Sequence, residues 1–261
     1  MKKDVFVRVS VVTVCRNAAK SIPRTIESVL GQDYGDVEYL ILDGASTDGT
    51  QDVVAPYLNN GVTFISQPDG GMYHALNGAL TRFTGDVFGT LNADDAFHDR
   101  TALTRIADAL LGADMVHGDL DFVAAGAAAG AVERKVTRRW RVPARPAGGF
   151  RTGWMPAHPT FYAKRHVVEA VGAFDTALKT AADYDYMLRA IELHPFSLAK
   201  AQGVLVDMAT GGRSTASVGA HVRHNLEALS SRRRWLGAGP IDAALVAKPA
   251  RKIGQFVSAR F

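Results

Sequence analysis

The chain has 261 residues, of which 47% are hydrophobic and 21% charged, an ordinary globular composition with enough apolar residues for one large α/β domain and an appendage. The single cysteine, Cys15, excludes an internal disulfide framework and favours a reducing compartment. No stretch reaches the ~20 apolar residues of a spanning helix, and we expect no targeting signal. The net charge of +4 is uneven, because residues 213–261 hold nine Lys and Arg against two acidic residues.

The first hundred residues predict alternating strands and helices. Four apolar runs predict buried strands at 9–14, 37–42, 63–66 and 87–91. Helices are predicted between them, the first capped by Ser21, the second capped by Thr50 and the third running from Met72 to Leu80. This order indicates a mostly parallel, Rossmann-like sheet flanked by helices, in which ligands bind at the carboxyl ends of the strands.

The second half is less regular. We expect a helix from Asp99 and another that opens at Asp183 and ends before Pro195. The remaining predictions are strands at 115–117, 120–123, 160–163 and 204–208, a helix at 165–171 and an Ala/Gly turn at 124–131. We therefore divide the chain into a domain at 1–212, with a nucleotide-binding half (1–98) and an acceptor half (99–212), and a basic helical tail at 213–261.

Polar side chains follow each of the four predicted strands. They are Asn17 after the first strand, Asp43 after the second, Asp69 after the third and the segment Asn92–Asp95 after the fourth. Because the carboxyl ends of parallel strands meet at one edge of a sheet, we expect one binding crevice there.

Asn92–Asp95 offers an amide and two carboxylates, oxygen ligands that suit Mg²⁺ or Mn²⁺. The alternative is an acidic turn before the next helix. Asp43 suits a hydrogen bond to a nucleobase or a ribose hydroxyl. Asp183 suits a general base or an ordinary helix cap, and His158 suits either a contact to acceptor or diphosphate or a structural role.

Several motifs in one order give the chain a family resemblance. The motifs lie at 9–17, 42–50, 67–78, 91–95, 172–175, 181–189 and 211–214. In these motifs the chain resembles the family 2 glycosyltransferases, especially the bacterial branch that builds exopolysaccharide, colanic-acid-type polymers, lipopolysaccharide or glycolipids.

The resemblance implies a GT-A fold and an inverting transfer with Asp183 as the base. It implies a metal held by Asp94 with Asp95 beside it, and acceptor contacts from His158 and Tyr184. The donor site that it implies contains Thr13, Cys15, Asn17, Asp43, Asp69, Asn77, Asn92, Ala93 and Asp94.

This chain departs from the pattern at three positions. Asn92 stands where many members have Asp, Ala182 where many have Glu, and His74 where Asp is frequent. We expect weaker metal binding from the first and an altered donor sugar from the third.

We therefore expect a transferase that uses a UDP-, GDP- or dTDP-linked sugar with Mn²⁺ or Mg²⁺ and acts on a saccharide or lipid-linked hydroxyl. We expect a cytoplasmic location, with the basic tail and the basic segment 134–151 able to contact anionic lipid at the inner membrane. The alternatives are a sugar nucleotidyltransferase, a non-catalytic sugar-binding protein of the same fold, and a nucleic-acid binder, which only the basic tail would favour.

Overall fold

The structure is a computed structural model that describes residues 7–124, 135–210 and 218–239. Most of the predicted 124–131 turn, the 211–214 motif and the tail beyond residue 239 lie outside the described residues.

The first half alternates as predicted. The strands are β1 (Val9–Cys15), β2 (Val37–Asp43), β3 (Val62–Ser66) and β4 (Val87–Thr90), and the helices are α1 (Ile22–Leu30), α2 (Thr50–Val54) and α3 (Met72–Leu80). β1 is almost fully buried because its β-branched residues face helices on both sides of the sheet.

The second half contains β5 (Ala96–Phe97), α4 (Ala102–Leu110), β6 (Met115–Val123), β7 (Val136–Trp140), β8 (Tyr162–Lys164), α5 (Arg165–Val171), α6 (Ala182–Glu192), β9 (Leu198–Ala209) and α7 (Val218–Leu236).

All the described strands join one sheet, in the order β3-β2-β1-β4-β8-β6-β9-β5, and β7 pairs with β6. β3, β2, β1 and β4 run parallel to one another, and β6 and β9 also form a parallel pair. β8 is antiparallel to both of its neighbours, β4 and β6. The sheet is thus largely parallel, and its first four strands end at one edge.

Some predicted elements differ from the structure. The two predicted strands at 115–117 and 120–123 are one buried strand, β6, and β7 was not predicted. The predicted strand at 160–163 begins only at Tyr162, since residues 158–160 form a short 3-10 turn. The helix expected from Asp99 begins at Ala102, and the Asp99 carboxylate instead accepts hydrogen bonds from Thr101.

Both predicted helix caps are wrong in detail. Ser21 precedes α1 but makes no side-chain cap, and its hydroxyl donates to the carbonyl of Ala18. Thr50 lies inside α2, where Asp48 accepts a hydrogen bond from its backbone N–H. Short-range sequence patterns found the helices but not the groups that hold their first turns.

The described part of the predicted basic tail is α7. This helix packs on α6, and its residues Ala228, Leu229 and Arg232 are buried. The domain boundary placed after residue 212 stays a prediction. Among the described residues, no helix is both long and apolar enough to cross a membrane.

Candidate functional site

The parallel strands bring the predicted donor residues to one edge of the sheet. Cys15 at the end of β1 pairs with Asp43 at the end of β2, and Asp43 pairs with Ser66 at the end of β3. β4 runs alongside β1 and leads directly into Asn92–Asp95. The ends of these four strands therefore lie side by side, as the binding crevice predicted there requires.

Asp43 is 2% exposed and organises the loop that follows β2. Its oxygens accept hydrogen bonds from the Ser46 backbone N–H at 3.0 Å, from the Ser66 hydroxyl at 2.6 Å and from the Ser46 hydroxyl. Burial alone would raise the pKa of Asp43, but these hydrogen bonds outweigh it and lower the pKa. Asp43 is thus a fixed anion, and its contact with a base or ribose remains a prediction.

The predicted donor residues in and just after β1 form hydrogen bonds to β2 and to the loop that follows it. Thr13 is fully buried, and its hydroxyl is 3.1 Å from the Tyr39 hydroxyl. The Cys15 thiol donates to Asp43 at 3.5 Å, and burial raises its pKa far above the ordinary value. Asn17, with a positive φ of 55°, accepts from the Thr47 backbone N–H at 3.0 Å. Because the Thr13 side chain is fully buried, it could contact a donor only after the surrounding residues rearranged.

Asp69 closes the other side of this region. Its carboxylate accepts from the Gly71 backbone N–H at 2.8 Å. A Cβ atom on Gly44 would lie 3.0 Å from Asp69 Oδ2, so the small residue lets the β2 loop approach this carboxylate. A hollow beside them is lined by Leu42, Asp43, Ile65, Gln67, Asp69, His74, Ala75, Gly78 and Arg82.

Asn77, predicted to line the donor site, binds the protein backbone. Its amide accepts from the Phe174 N–H at 2.8 Å and donates to the Phe174 carbonyl at 3.0 Å. This pair of bonds ties α3 to the loop before α6. A direct donor contact by Asn77 would compete with them.

The carboxylates of Asp94 and Asp95, which follow β4, differ in burial and in hydrogen bonding. Asp95 is fully buried, and it accepts from Asn92 Nδ2 at 2.8 Å and from the Ala209 N–H at 3.0 Å. Burial, reinforced by repulsion from Asp94, raises the pKa of Asp95 to about 7. Asp95 thus ties the segment Asn92–Asp95 to β9. The amide of Asn92 is already used in a hydrogen bond to Asp95. The predicted metal role of Asp95 would require giving up one of these bonds.

Asp94 is the carboxylate available to a ligand. Across the described ranges, no other residue donates a hydrogen bond to its side chain. Arg24 donates to the Asp94 backbone carbonyl at 3.4 Å and attracts the carboxylate only through its charge. Burial raises the pKa of Asp94, since the charge is partly desolvated without a bonded partner. One half-buried carboxylate fits a Mg²⁺ or Mn²⁺ ion that takes its other ligands from phosphate and water.

A second cluster of possible metal ligands lies elsewhere, on β5, β6 and β9. Its members are His98, Asp121 and Asp207, whose ligand atoms lie within 4.8 Å of one another. His98 Nδ1 is 2.9 Å from Asp207, and Arg141 donates to Asp121 at 2.6 Å. These bonds describe an ion-pair network, so Asp94 remains the better cation ligand.

Asp183 lies in the first turn of α6 and is 20% exposed. The Tyr73 hydroxyl is 3.3 Å from its Oδ1, and His158 Nδ1 is 3.6 Å from its Oδ2. His158 Nε2 is also 3.0 Å from the Thr90 hydroxyl at the end of β4. The predicted base and the predicted acceptor histidine are thus together, beside the strand that leads to Asp94.

The structure contradicts the acceptor contact predicted for Tyr184. This side chain is fully buried, its ring packs edge-on against Phe150 at 5.0 Å, and its hydroxyl accepts from Arg232 of α7 at 2.9 Å. Helix periodicity is the reason, because the residue after Asp183 points about 100° around α6, into the protein. Asp185 is also buried and pairs with Arg189 at 2.8 Å.

Sequence reasoning missed three residues near the site. Tyr73 and Thr90 lie within segments that were predicted correctly, and a polar atom on each contacts the Asp183–His158 pair. Glu227 of α7 accepts bonds from the backbone just before α6. Neither spacing nor local composition signals such long-range contacts.

Comparison with solved structures places this fold in a known class. S. aureus TarS 1-349 in complex with UDP-GlcNAc matches with a TM-score of 0.66 and 15% identity, over 97% of this chain and 72% of that one. Mannosyltransferase PcManGT from Pyrobaculum calidifontis, in complex with GDP-Man and Mn²⁺, matches with a TM-score of 0.60 and 18% identity, over 98% and 83% of the two chains. The fold is therefore of the GT-A type.

The family follows from the sequence comparison. The model described as Glycosyl transferase family 2 matches residues 10–154, so the chain belongs to that family. A PGL/p-HBAD biosynthesis glycosyltransferase of Mycobacterium bovis is 27% identical over 192 residues, which cover 69% of this chain and 68% of that protein. An uncharacterized glycosyltransferase of Mycobacterium tuberculosis is 28% identical over 204 residues, covering 70% and 68%.

Proposed function

We propose that this glycosyltransferase moves a sugar from a nucleoside diphosphate onto an acceptor hydroxyl with inversion at the anomeric carbon. The observation that carries the proposal is the position of two acidic side chains, Asp94 and Asp183, at one edge of the sheet. Asp94 is half-buried, and no other side chain in the described part of the chain donates a hydrogen bond to it. Asp183 lies across the end of β4 beside His158.

The donor is proposed to enter over the ends of β1, β2 and β4. The nucleoside would occupy the hollow between Asp43 and Asp69, and its diphosphate would extend towards Asp94. The solved structures that share this fold contain UDP-GlcNAc, or GDP-Man with Mn²⁺, which supports a nucleotide sugar and a divalent ion here. Such an ion, when bound, neutralises charge on the departing diphosphate.

The transfer is proposed as a single displacement. The acceptor oxygen forms a bond to the anomeric carbon while the bond from that carbon to the diphosphate oxygen breaks. Asp183 takes the proton of the attacking hydroxyl, and the nucleoside diphosphate leaves with the bonding electrons. Tyr73 and His158 contact the two oxygens of Asp183 and thus set the direction of its carboxylate.

The acceptor is proposed to be a saccharide or glycolipid of the cell envelope, reached at the cytoplasmic face of the membrane. The relative from M. bovis carries the name PGL/p-HBAD biosynthesis glycosyltransferase, which supports a biosynthetic transfer. The outer face of α7 exposes Val222 and Leu226 next to Arg223, Arg233 and Arg234. Each cation near an anionic surface contributes about 1 kcal/mol.

The decisive experiment measures donor turnover for a panel of UDP-, GDP- and dTDP-sugars with Mn²⁺ or Mg²⁺, using the full chain. We expect one donor class to react, and we expect Asp94→Asn and Asp183→Asn each to abolish transfer. A protein that binds donors without turning them over would be a binding protein of the same fold. Formation of sugar nucleotides from a triphosphate would instead indicate a nucleotidyltransferase.

A further inference from the structure

Glu227 of α7 lies at the start of α6, the helix that carries Asp183. Its Oε2 accepts from the backbone N–H groups of Thr180 at 2.8 Å and Ala181 at 3.0 Å, and its Oε1 accepts from that of Lys179 at 3.1 Å. The Thr180 hydroxyl adds a bond at 3.0 Å. One carboxylate therefore holds three successive residues of the chain.

This carboxylate lies at a helix start that has no side-chain cap of its own, because the N-cap residue of α6 is Ala181. Glu227, 46 residues further along the chain, accepts from the N–H of Ala181 and from those of the two residues before it. Its negative charge suits the positive end of the helix. His224, one turn earlier on α7, adds a bond of 2.9 Å to the Thr180 carbonyl.

The held segment ends two residues before Asp183. The backbone at 179–181 sets where α6 begins and thus where Asp183 lies, while Tyr73 and His158 contact the two oxygens of its carboxylate. A shift of about 1 Å in a reacting group costs up to ~10²-fold in rate. The position of the backbone at 179–181 therefore affects the rate of proton transfer to Asp183.

We infer that Glu227 is a positioning residue for the transfer reaction, because it fixes the backbone that aims Asp183 at the acceptor hydroxyl. The inference rests on the proposed role of Asp183 as the base. It assigns α7 a role in the site, although the sequence places this helix in the basic tail.

The test compares Glu227→Ala, Glu227→Gln and Leu229→Ala in the full chain. Leu229 is buried on the same helix, and its apolar side chain cannot accept the N–H groups of residues 179–181, so its variant loosens α7 without removing the carboxylate. We expect Glu227→Ala to lower kcat roughly ten- to hundredfold. The KM for the donor should stay unchanged, since the donor residues follow β1, β2 and β4. Glu227→Gln keeps one acceptor oxygen and should recover part of kcat.

Equal losses of kcat in Glu227→Ala and Leu229→Ala at matched Tm would overturn the inference, because both would then report only lost packing. So would an unchanged kcat in Glu227→Ala. The failure of the proposed function is separate: it would appear as a wild-type protein without turnover, or as full activity in Asp183→Asn. A well-folded Glu227→Gln also keeps the test informative if Glu227→Ala does not fold.

Discussion

His158 and Asp183 face each other with 3.6 Å between Nδ1 and Oδ2. The side chains are only 15% and 20% exposed, so water screens their interaction weakly. The opposite ring nitrogen, Nε2, lies 3.0 Å from the Thr90 hydroxyl at the end of β4. The imidazole thus connects the strand that leads to Asp94 with the helix that carries the proposed base.

We expect His158→Ala to lower kcat by about tenfold, because the Asp183 carboxylate loses one of its two orienting neighbours. Asp183→Asn should cost about 10²- to 10⁴-fold, the usual contribution of a general base. Steady-state transfer assays with saturating donor measure both. His166→Ala is the control, since this histidine is half-exposed and its partner Asp114 lies away from the cleft. Equal activity of the His158 and His166 variants would contradict the positioning role.

Asp94 and Asp95 should behave differently despite being neighbours. We expect Asp94→Asn to abolish Mn²⁺-dependent transfer and the Mn²⁺ enhancement of nucleoside diphosphate binding, while Tm changes little. Asp95→Asn should reduce stability by about 1–3 kcal/mol, because its new amide faces the donors Asn92 Nδ2 and Ala209 N–H. Calorimetric titration and thermal unfolding separate the two effects. A large loss of stability in Asp94→Asn would mean that Asp94 is structural.

The sequence predicted the parts of the site that depend on strand order. Four buried runs, each followed by a polar residue, were enough to bring Cys15, Asp43 and Asn92 to one edge, since parallel strands end together. The same argument does not reach the hydrogen bonds of each side chain. Asn77 and Phe174 are far apart in sequence, and nothing in either segment indicates that they bind each other.

The basic tail shows that net charge does not predict which residues of a segment are buried. Residues 213–261 are basic, which favours a solvated or membrane-bound segment, yet α7 buries Arg232 against Tyr184 and uses Trp235 to bind Asp185. A count of charges does not reveal that the apolar stem and planar head of arginine can enter a protein contact. Charge also hid strand β7 from the sequence prediction. Its residues Arg138 and Arg139 are charged, yet the segment pairs with β6.

Gly89 in β4 allows a close approach of the neighbouring strand β8. A Cβ atom there would lie 2.0 Å from the ring of Tyr162, a fully buried side chain with no room to move. We expect Gly89→Ala to destabilise the protein by about 1–3 kcal/mol or more, as overpacking does. Chemical denaturation measures this loss. Gly112→Ala is the matched control and should change little, because no atom lies within 4 Å of its added methyl group. Similar stability in both variants would contradict the packing of β4 on β8.

His117 gives the stability a pH dependence. It is 1% exposed on β6, its Nδ1 has no hydrogen-bond partner among the residues that the structure describes, and Trp154 packs edge-on against its ring at 5.7 Å. Burial, with a smaller contribution from the charge of Lys200, lowers the pKa of His117 to about 4, although Asp119 opposes this shift. The neutral imidazole is therefore the form that the folded protein holds.

The unfolded chain, with an ordinary histidine pKa near 6.5, binds a proton that the folded chain does not take until pH is near 4. The contribution of His117 is therefore complete above pH 6.5 and is lost as pH falls from 6.5 to 4, by up to about 3 kcal/mol. Urea unfolding across this range should show a shallower fall for His117→Gln than for the wild type. His166→Gln, which removes a histidine that is 51% exposed, is the matched control. Parallel curves for the wild type and His117→Gln would contradict a lowered pKa of the buried imidazole.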